Sequence, residues 1–120
     1  MQITHVESSA VLADRARTAR NHWQRFRGLM LQHSIQPGEA LVIEPCSSIH
    51  MMFMLFRIDA IFFDRSGRIT KVARGVKPWI GLAFGGRGAR GVVELPTGTT
   101  TGIVVGHHLL MTETSTLASD

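Results

Sequence analysis

The chain has no tyrosine, one cysteine among its 120 residues, and no acidic side chain from position 65 to position 93. Each absence excludes something. A lone cysteine cannot close an internal disulfide, so the fold owes nothing to oxidation, which fits a reducing compartment. Without tyrosine, and with most phenylalanines gathered in one apolar stretch, few rings remain on which nucleic-acid bases could stack. The longest apolar run, Ile49 to Phe56, is interrupted by His50 and falls far short of the roughly 20 residues that cross a bilayer. The N-terminus lacks a basic region followed by an apolar one, so no secretory signal is expected and the cytoplasm is the expected location. Neither an internal repeat nor a linker divides the sequence. A single domain over 1–111 is expected, with a polar, disordered tail over 112–120.

What is present is ordinary for a globular protein: 44% hydrophobic and 18% charged residues, enough to bury a core without disulfides. The formal net charge is +4, unevenly spread. Arg65, Arg68, Lys71, Arg74, Lys77, Arg87 and Arg90 fill the acid-free segment, and Arg15, Arg17, Arg20, Arg25 and Arg27 are offset only by Asp14. Such patches could face an anionic partner; a solvated surface is the simpler reading.

The expected fold is α+β with β dominant: a bent sheet, partial barrel or sandwich with one short helix packed on it. Residues 2–6 and 10–13 read as an edge hairpin around Glu7-Ser8-Ser9. Thr18 is a candidate N-cap for a helix over Ala19 to Met30, in which Trp23, Phe26 and Met30 share a face. Pro37-Gly38 marks a turn, and 40–43 a strand. The stretch 46–64 then holds three of six methionines and four of six phenylalanines. It reads as a central hairpin, 48–55 against 58–63, apolar on both faces and so buried on both sides. Asp64-Arg65-Ser66-Gly67 is a turn. Residues 68–76 and 92–95 are strands, 81–91 a glycine-rich irregular segment, and 103–105 with 107–111 a closing strand pair.

Several of these segments together have a familiar order: Arg27-Gly28-Leu29-Met30, His50-Met51-Met52-Phe53-Met54, Ile58-Asp59-Ala60-Ile61-Phe62-Phe63-Asp64, Ser66-Gly67-Arg68-Ile69, Lys77-Pro78-Trp79, Val93-Glu94-Leu95-Pro96-Thr97-Gly98 and Gly102-Ile103-Val104-Val105-Gly106. Over roughly residues 10–111 the chain resembles the UPF0127 family, also called DUF192. The resemblance implies a compact, mainly β fold with a short helix, and no established activity. Leu55 stands where a basic residue is usual in the family and Arg57 where proline is usual.

Candidate chemistry concentrates in the central stretch. Cys46 and His50 would lie roughly 13 Å apart on a regular strand, too far for a nucleophile and its base. Cys46, His50, Met52 and Met54 would share one strand face, and thiolate, imidazole and thioether suit Cu(I); methionines filling an irregular core are the plainer explanation. His107-His108 adds little to a metal site, because neighbours on a strand face opposite ways. Gly86-Arg87-Gly88-Ala89-Arg90-Gly91 matches a dinucleotide-binding pattern in letters. A strand follows it, however, where a helix should open, so only a looser anion-binding loop with Arg87 and Arg90 is considered. Asp59, alone among apolar neighbours, must be paired or hydrogen-bonded, by arginine or by backbone N–H groups. The leading expectation is a non-enzymatic ligand-binding or accessory module. Its pocket by the central hairpin would be lined by His50, Met52, Met54 and Asp59 and rimmed by Arg87 and Arg90. The alternatives are an enzyme using His50 and Asp59 in that pocket, or a copper-binding protein. Specific nucleic-acid binding is disfavoured, no cofactor is indicated, and neither a small-molecule nor a protein partner is identified.

Overall fold

A computed structural model describes residues 1–21, 34–52 and 54–113. The described residues form ten strands: β1 (Gln2–His5), β2 (Ala10–Ala13), β3 (Arg15–Ala19), β4 (Glu39–Ile43), β5 (Ser48–His50), β6 (Ile58–Phe63), β7 (Ile69–Val76), β8 (Leu82–Phe84), β9 (Gly91–Pro96) and β10 (Leu109–Thr112). They assemble into a five-stranded sheet ordered β3-β4-β9-β6-β7, a three-stranded sheet ordered β10-β1-β2, and the pair β5-β8.

The five-stranded sheet is the middle layer, because its inner strands are apolar on both faces. Every residue of β6 is buried. With a period of two, Ile58, Ala60 and Phe62 enter one core while Ile61 and Phe63 enter the other. β4 divides likewise, Leu41 and Ile43 to one side and Ala40 and Val42 to the other. One core is closed by Ile49 of β5, Ala83 of β8, Met51 and Met54. The other is closed by Ile3 of β1, Ala13 of β2 and Leu109 of β10. Neither face of the central sheet could stay wet: burying a side chain such as Ile or Phe is worth roughly 1.5–3 kcal/mol.

The first hairpin forms as its sequence suggests, β1 against β2, but β1 is no edge. It lies between β2 and β10, with Gln2 opposite Thr112 and His5 opposite Leu109. The expected helix is not found among the described residues. Thr18 and Ala19 belong to β3, which pairs in parallel with β4, and residues 22–33, where most of that helix falls, lie outside the described residues. There is no helix among the described residues, and so none long and apolar enough to cross a membrane. The same limit applies to most of the expected tail: Thr112 ends β10, and 114–120 are not described.

The central hairpin is a second correction. β5 stops at His50 and pairs with β8, whereas β6 pairs with β7 and β9. Apolar content told of burial but not of partner. Residues 81–91 hold β8, so they are not irregular throughout. Three of their glycines mark close approach: a Cβ at Gly81 would sit 2.4 Å from the Lys77 carbonyl oxygen, at Gly85 2.6 Å from the Phe62 ring, and at Gly91 2.5 Å from the Phe63 ring. Residues 103–105 are loop, and β10 pairs with β1 rather than with them.

Candidate functional site

Asp59 is buried on β6 among apolar neighbours, where an ionised carboxylate survives only with donors around it. Four reach it. Oδ1 accepts from the Gly75 N–H at 2.8 Å and the Thr97 hydroxyl at 3.2 Å; Oδ2 accepts from the Gly98 N–H at 3.0 Å and the Thr100 hydroxyl at 2.8 Å. Of the two sources expected for its donors, backbone N–H groups are there; among the described residues arginine is not, and threonine hydroxyls take its place. The network ties β6 to β7 and to the turn after β9. Nearby, Arg74 donates to the carbonyls of Thr100 and Ile103 at 3.0 and 2.6 Å, closing the loop that carries Thr100.

The other expected site residues are spread out. His50 is at the end of β5, opposite Leu82. Met52 is exposed and Met54 buried, so they do not lie on one strand face as the regular alternation supposed. The Cys46 thiol donates to the Ser48 carbonyl at 3.0 Å. Arg90 forms a surface ion pair with Glu44 at 3.3 Å and borders two shallow hollows, one with Asp64, Arg65 and Ser66, the other with Pro45, Cys46 and Ser47. Arg87 is exposed.

A groove of about 530 Å³ lies between β7 and β8. β7 is an edge of the central sheet. One wall carries Lys71, Arg74 and Lys77; the other carries Ile80, Leu82 and Phe84, which are 77%, 64% and 66% exposed. Beside them Trp79 is half exposed and held at φ 66°, a conformation costly for a bulky residue. Its N–H donates to the Met51 carbonyl at 2.8 Å, next to exposed Met52. The sequence signal for this wall is the alternation Ile80-Gly81-Leu82-Ala83-Phe84, in which Ala83 is buried and its neighbours are not; the glycine count concealed it.

Across the central sheet, where β1 meets β10, is a polar cluster that sequence reading missed. His5 Nε2 lies 2.8 Å from His107 Nδ1 and 3.7 Å from Glu7 Oε1. The imidazoles are tilted at 40° with centroids 4.8 Å apart. His5 Nδ1 meets the Ser8 hydroxyl oxygen at 2.6 Å, and that oxygen accepts the Ala10 N–H. His108 holds both oxygens of Glu7, donating through its backbone N–H to Oε1 at 2.8 Å and its ring to Oε2 at 2.7 Å. These contacts with His108 depress the Glu7 pKa to about 2. His5 and His107 are 102 positions apart; only the β1–β10 register joins them.

Among the described residues, fold and sites together define a small, sheet-rich domain with a buried carboxylate hub, an apolar-cationic groove and a histidine-carboxylate cluster. Residues 3–111 match the model of the DUF192 family, described as "Uncharacterized ACR", and the chain belongs to that family. A UPF0127 protein of Thermococcus sibiricus is 35% identical over 92 residues, 73% of this chain and 58% of the relative; the chain thus spans little more than half that relative's length. Two crystal structures share the fold at 20% identity. One, of a protein of unknown function from Novosphingobium aromaticivorans, superposes with a TM-score of 0.77 over 92% of this chain and 82% of that one. The other, from Sinorhizobium meliloti, gives 0.73 over 91% and 89%.

Proposed function

We propose that the domain is a non-enzymatic binding module whose groove between β7 and β8 takes an extended, acidic and apolar segment of a protein partner. The observation that carries this reading is the row Ile80, Leu82 and Phe84, exposed along one wall of a groove that Lys71 of edge strand β7 and Lys77 just beyond it also line. Contiguous exposed apolar side chains are uncommon unless something covers them. An edge strand offers backbone hydrogen bonds to an added strand, and pockets for alternate side chains supply specificity. Lys71 and Lys77, with no acid from 65 to 93, favour carboxylates in the partner and disfavour a second copy of this chain laid on the same face. His50, paired with Leu82, and Met52 flank the row and would touch the same partner. Met54 packs in the core under β8, Asp59 fixes β7 through the Gly75 N–H, and Arg87 and Arg90 extend the basic character of the surface.

The enzymatic alternative asks Asp59 to act as base beside His50. Four donors already occupy its oxygens, which supports a structural role instead.

The test is an NMR titration with two synthetic peptides of alternating pattern, valine and phenylalanine spaced by glutamate in one and by lysine in the other. The acidic peptide is expected to shift amides of 71–76 and 80–84, and Leu82→Ser with Phe84→Ser, or Lys71→Glu with Lys77→Glu, to abolish the shifts. Shifts elsewhere, equal binding of the basic peptide, or a wild-type dimer in sedimentation that these substitutions dissolve would overturn it.

A further inference from the structure

We infer that His5, Glu7 and His107 form a binding site for a divalent transition cation of the zinc class, on the side of the central sheet away from the groove. Their ligand atoms all lie within 4.8 Å of one another. Zn–N distances of roughly 2.0–2.1 Å put tetrahedral ligand atoms roughly 3.3 Å apart. The separations of 2.8 Å between His5 Nε2 and His107 Nδ1, and 3.7 Å between His5 Nε2 and Glu7 Oε1, straddle that value. The widest separation, up to 4.8 Å, must also close, and that movement falls to Glu7 and His107, whose side chains reach the surface, around the buried His5.

The surroundings are those of a ligand set. A ligating histidine commonly donates its other N–H to an oxygen, and a ligating carboxylate is itself hydrogen-bonded. His5 Nδ1 faces the Ser8 hydroxyl, and His108 fixes both oxygens of Glu7. Two proton arrangements fit the distances of the network, and the first satisfies it without an ion. In one, Ser8 donates to His5 Nδ1 and His5 Nε2–H donates to His107 Nδ1. In the other, His5 Nδ1–H donates to Ser8, and two nitrogen lone pairs point at one spot beside a carboxylate. The second arrangement is complete only with a cation between the nitrogens; the Val104 N–H, 3.4 Å from His107 Nδ1, is compatible with both, because that nitrogen accepts in each.

The donor set selects the ion. Two imidazoles and one carboxylate suit zinc and its neighbours; calcium and magnesium want oxygen alone, and Cu(I) wants sulfur. His5 is buried while Glu7 and His107 reach the surface, so water can complete the coordination. Bound there, the ion would clamp the first strand to the last, and binding to the folded state alone raises its stability by mass action.

The test uses the full chain, stripped with chelator and titrated with Co²⁺ by visible absorption and with Zn²⁺ against a chromophoric chelator, alongside melting temperatures. Wild type is expected to bind one equivalent and to melt higher with Zn²⁺. His107→Ala should lose more than 100-fold in affinity, and His108→Ala, which only orients Glu7, roughly 10-fold. Cys46→Ser should bind as wild type does. If His107→Ala does not fold by circular dichroism, Glu7→Gln decides in its place, with the same loss expected. No stoichiometric binding by wild type, or unchanged affinity in the deciding variant, overturns the site.

Discussion

Two carboxylates, Asp59 and Glu7, are each surrounded by hydrogen-bond donors, and they do opposite things. Asp59 is inside, and its four donors come from β7 and the turn after β9. Nothing about it faces outward, and a carboxylate so engaged is architecture. Glu7 is on the surface. Both of its oxygens are held by one neighbour, His108, while His5 Nε2 lies 3.7 Å from one of them and 2.8 Å from His107 Nδ1. Donors converging on a buried charge settle a cost; acceptors converging at an open rim leave room for a cation. The same residue type therefore reads as scaffold in one place and as site in the other, and the balance of donors and acceptors separates them.

The contrast can be broken most forcefully at Asp59. Asp59→Ala strands two backbone N–H groups and two hydroxyls and is expected to cost about 3–5 kcal/mol, with Asp59→Asn between it and wild type. Urea midpoints check this, and near-equal values would take Asp59 out of the architecture. Met54 and Met52 offer the same comparison in apolar terms. Met54→Ala should cost about 2–5 kcal/mol through lost burial and a cavity, whereas Met52→Ala should stay within about 0.5 kcal/mol; equal losses in thermal melts would show that Met52 is also core. Within the hub, Thr100 is buried and donates at 2.8 Å. Thr100→Val should remove roughly 1.5–3 kcal/mol, the usual range for a hydrogen bond to a charged group, and should be nearly silent in an Asp59→Ala background.

The smallest effect concerns a third carboxylate, Asp64 in the turn before β7. The Ser66 hydroxyl, with the N–H groups of Ser66 and Arg68, holds its pKa below the ordinary 3.8. A depressed carboxylate contributes stability that is present above its unfolded value and lost as pH falls through the folded one. Stability should therefore decline on acidification below pH 3.8, and Asp64→Asn should make that decline shallower and lower the neutral-pH midpoint by the correspondingly small amount. Denaturation at a series of acid pH values measures the slope; an unchanged slope would remove Asp64 from the acid response.

Much of the fold was legible in the residues. Period-two and doubly apolar runs marked β1, β2, β4, β6, β7 and β9, because side chains alternate across a strand whatever it pairs with. Turn chemistry placed Gly38 and Gly67, both at positive φ, because only backbone freedom is needed there. Asp59 stood out as a residue that must be satisfied, because an unpaired buried charge is too costly to keep. Partner choice was not legible. That β5 pairs with β8 and not β6, that β3 runs parallel to β4, and that β10 returns to β1 depend on which apolar faces close which core, a property of the whole chain. The same holds for the surfaces proposed to function. Ile80, Leu82 and Phe84 look like core residues until β8 takes its place with only Ala83 turned inward. His5 and His107 stand 102 positions apart until the first strand and the last come into register. Spacing reports chemistry only along one element; chemistry between elements exists once tertiary packing has set their register.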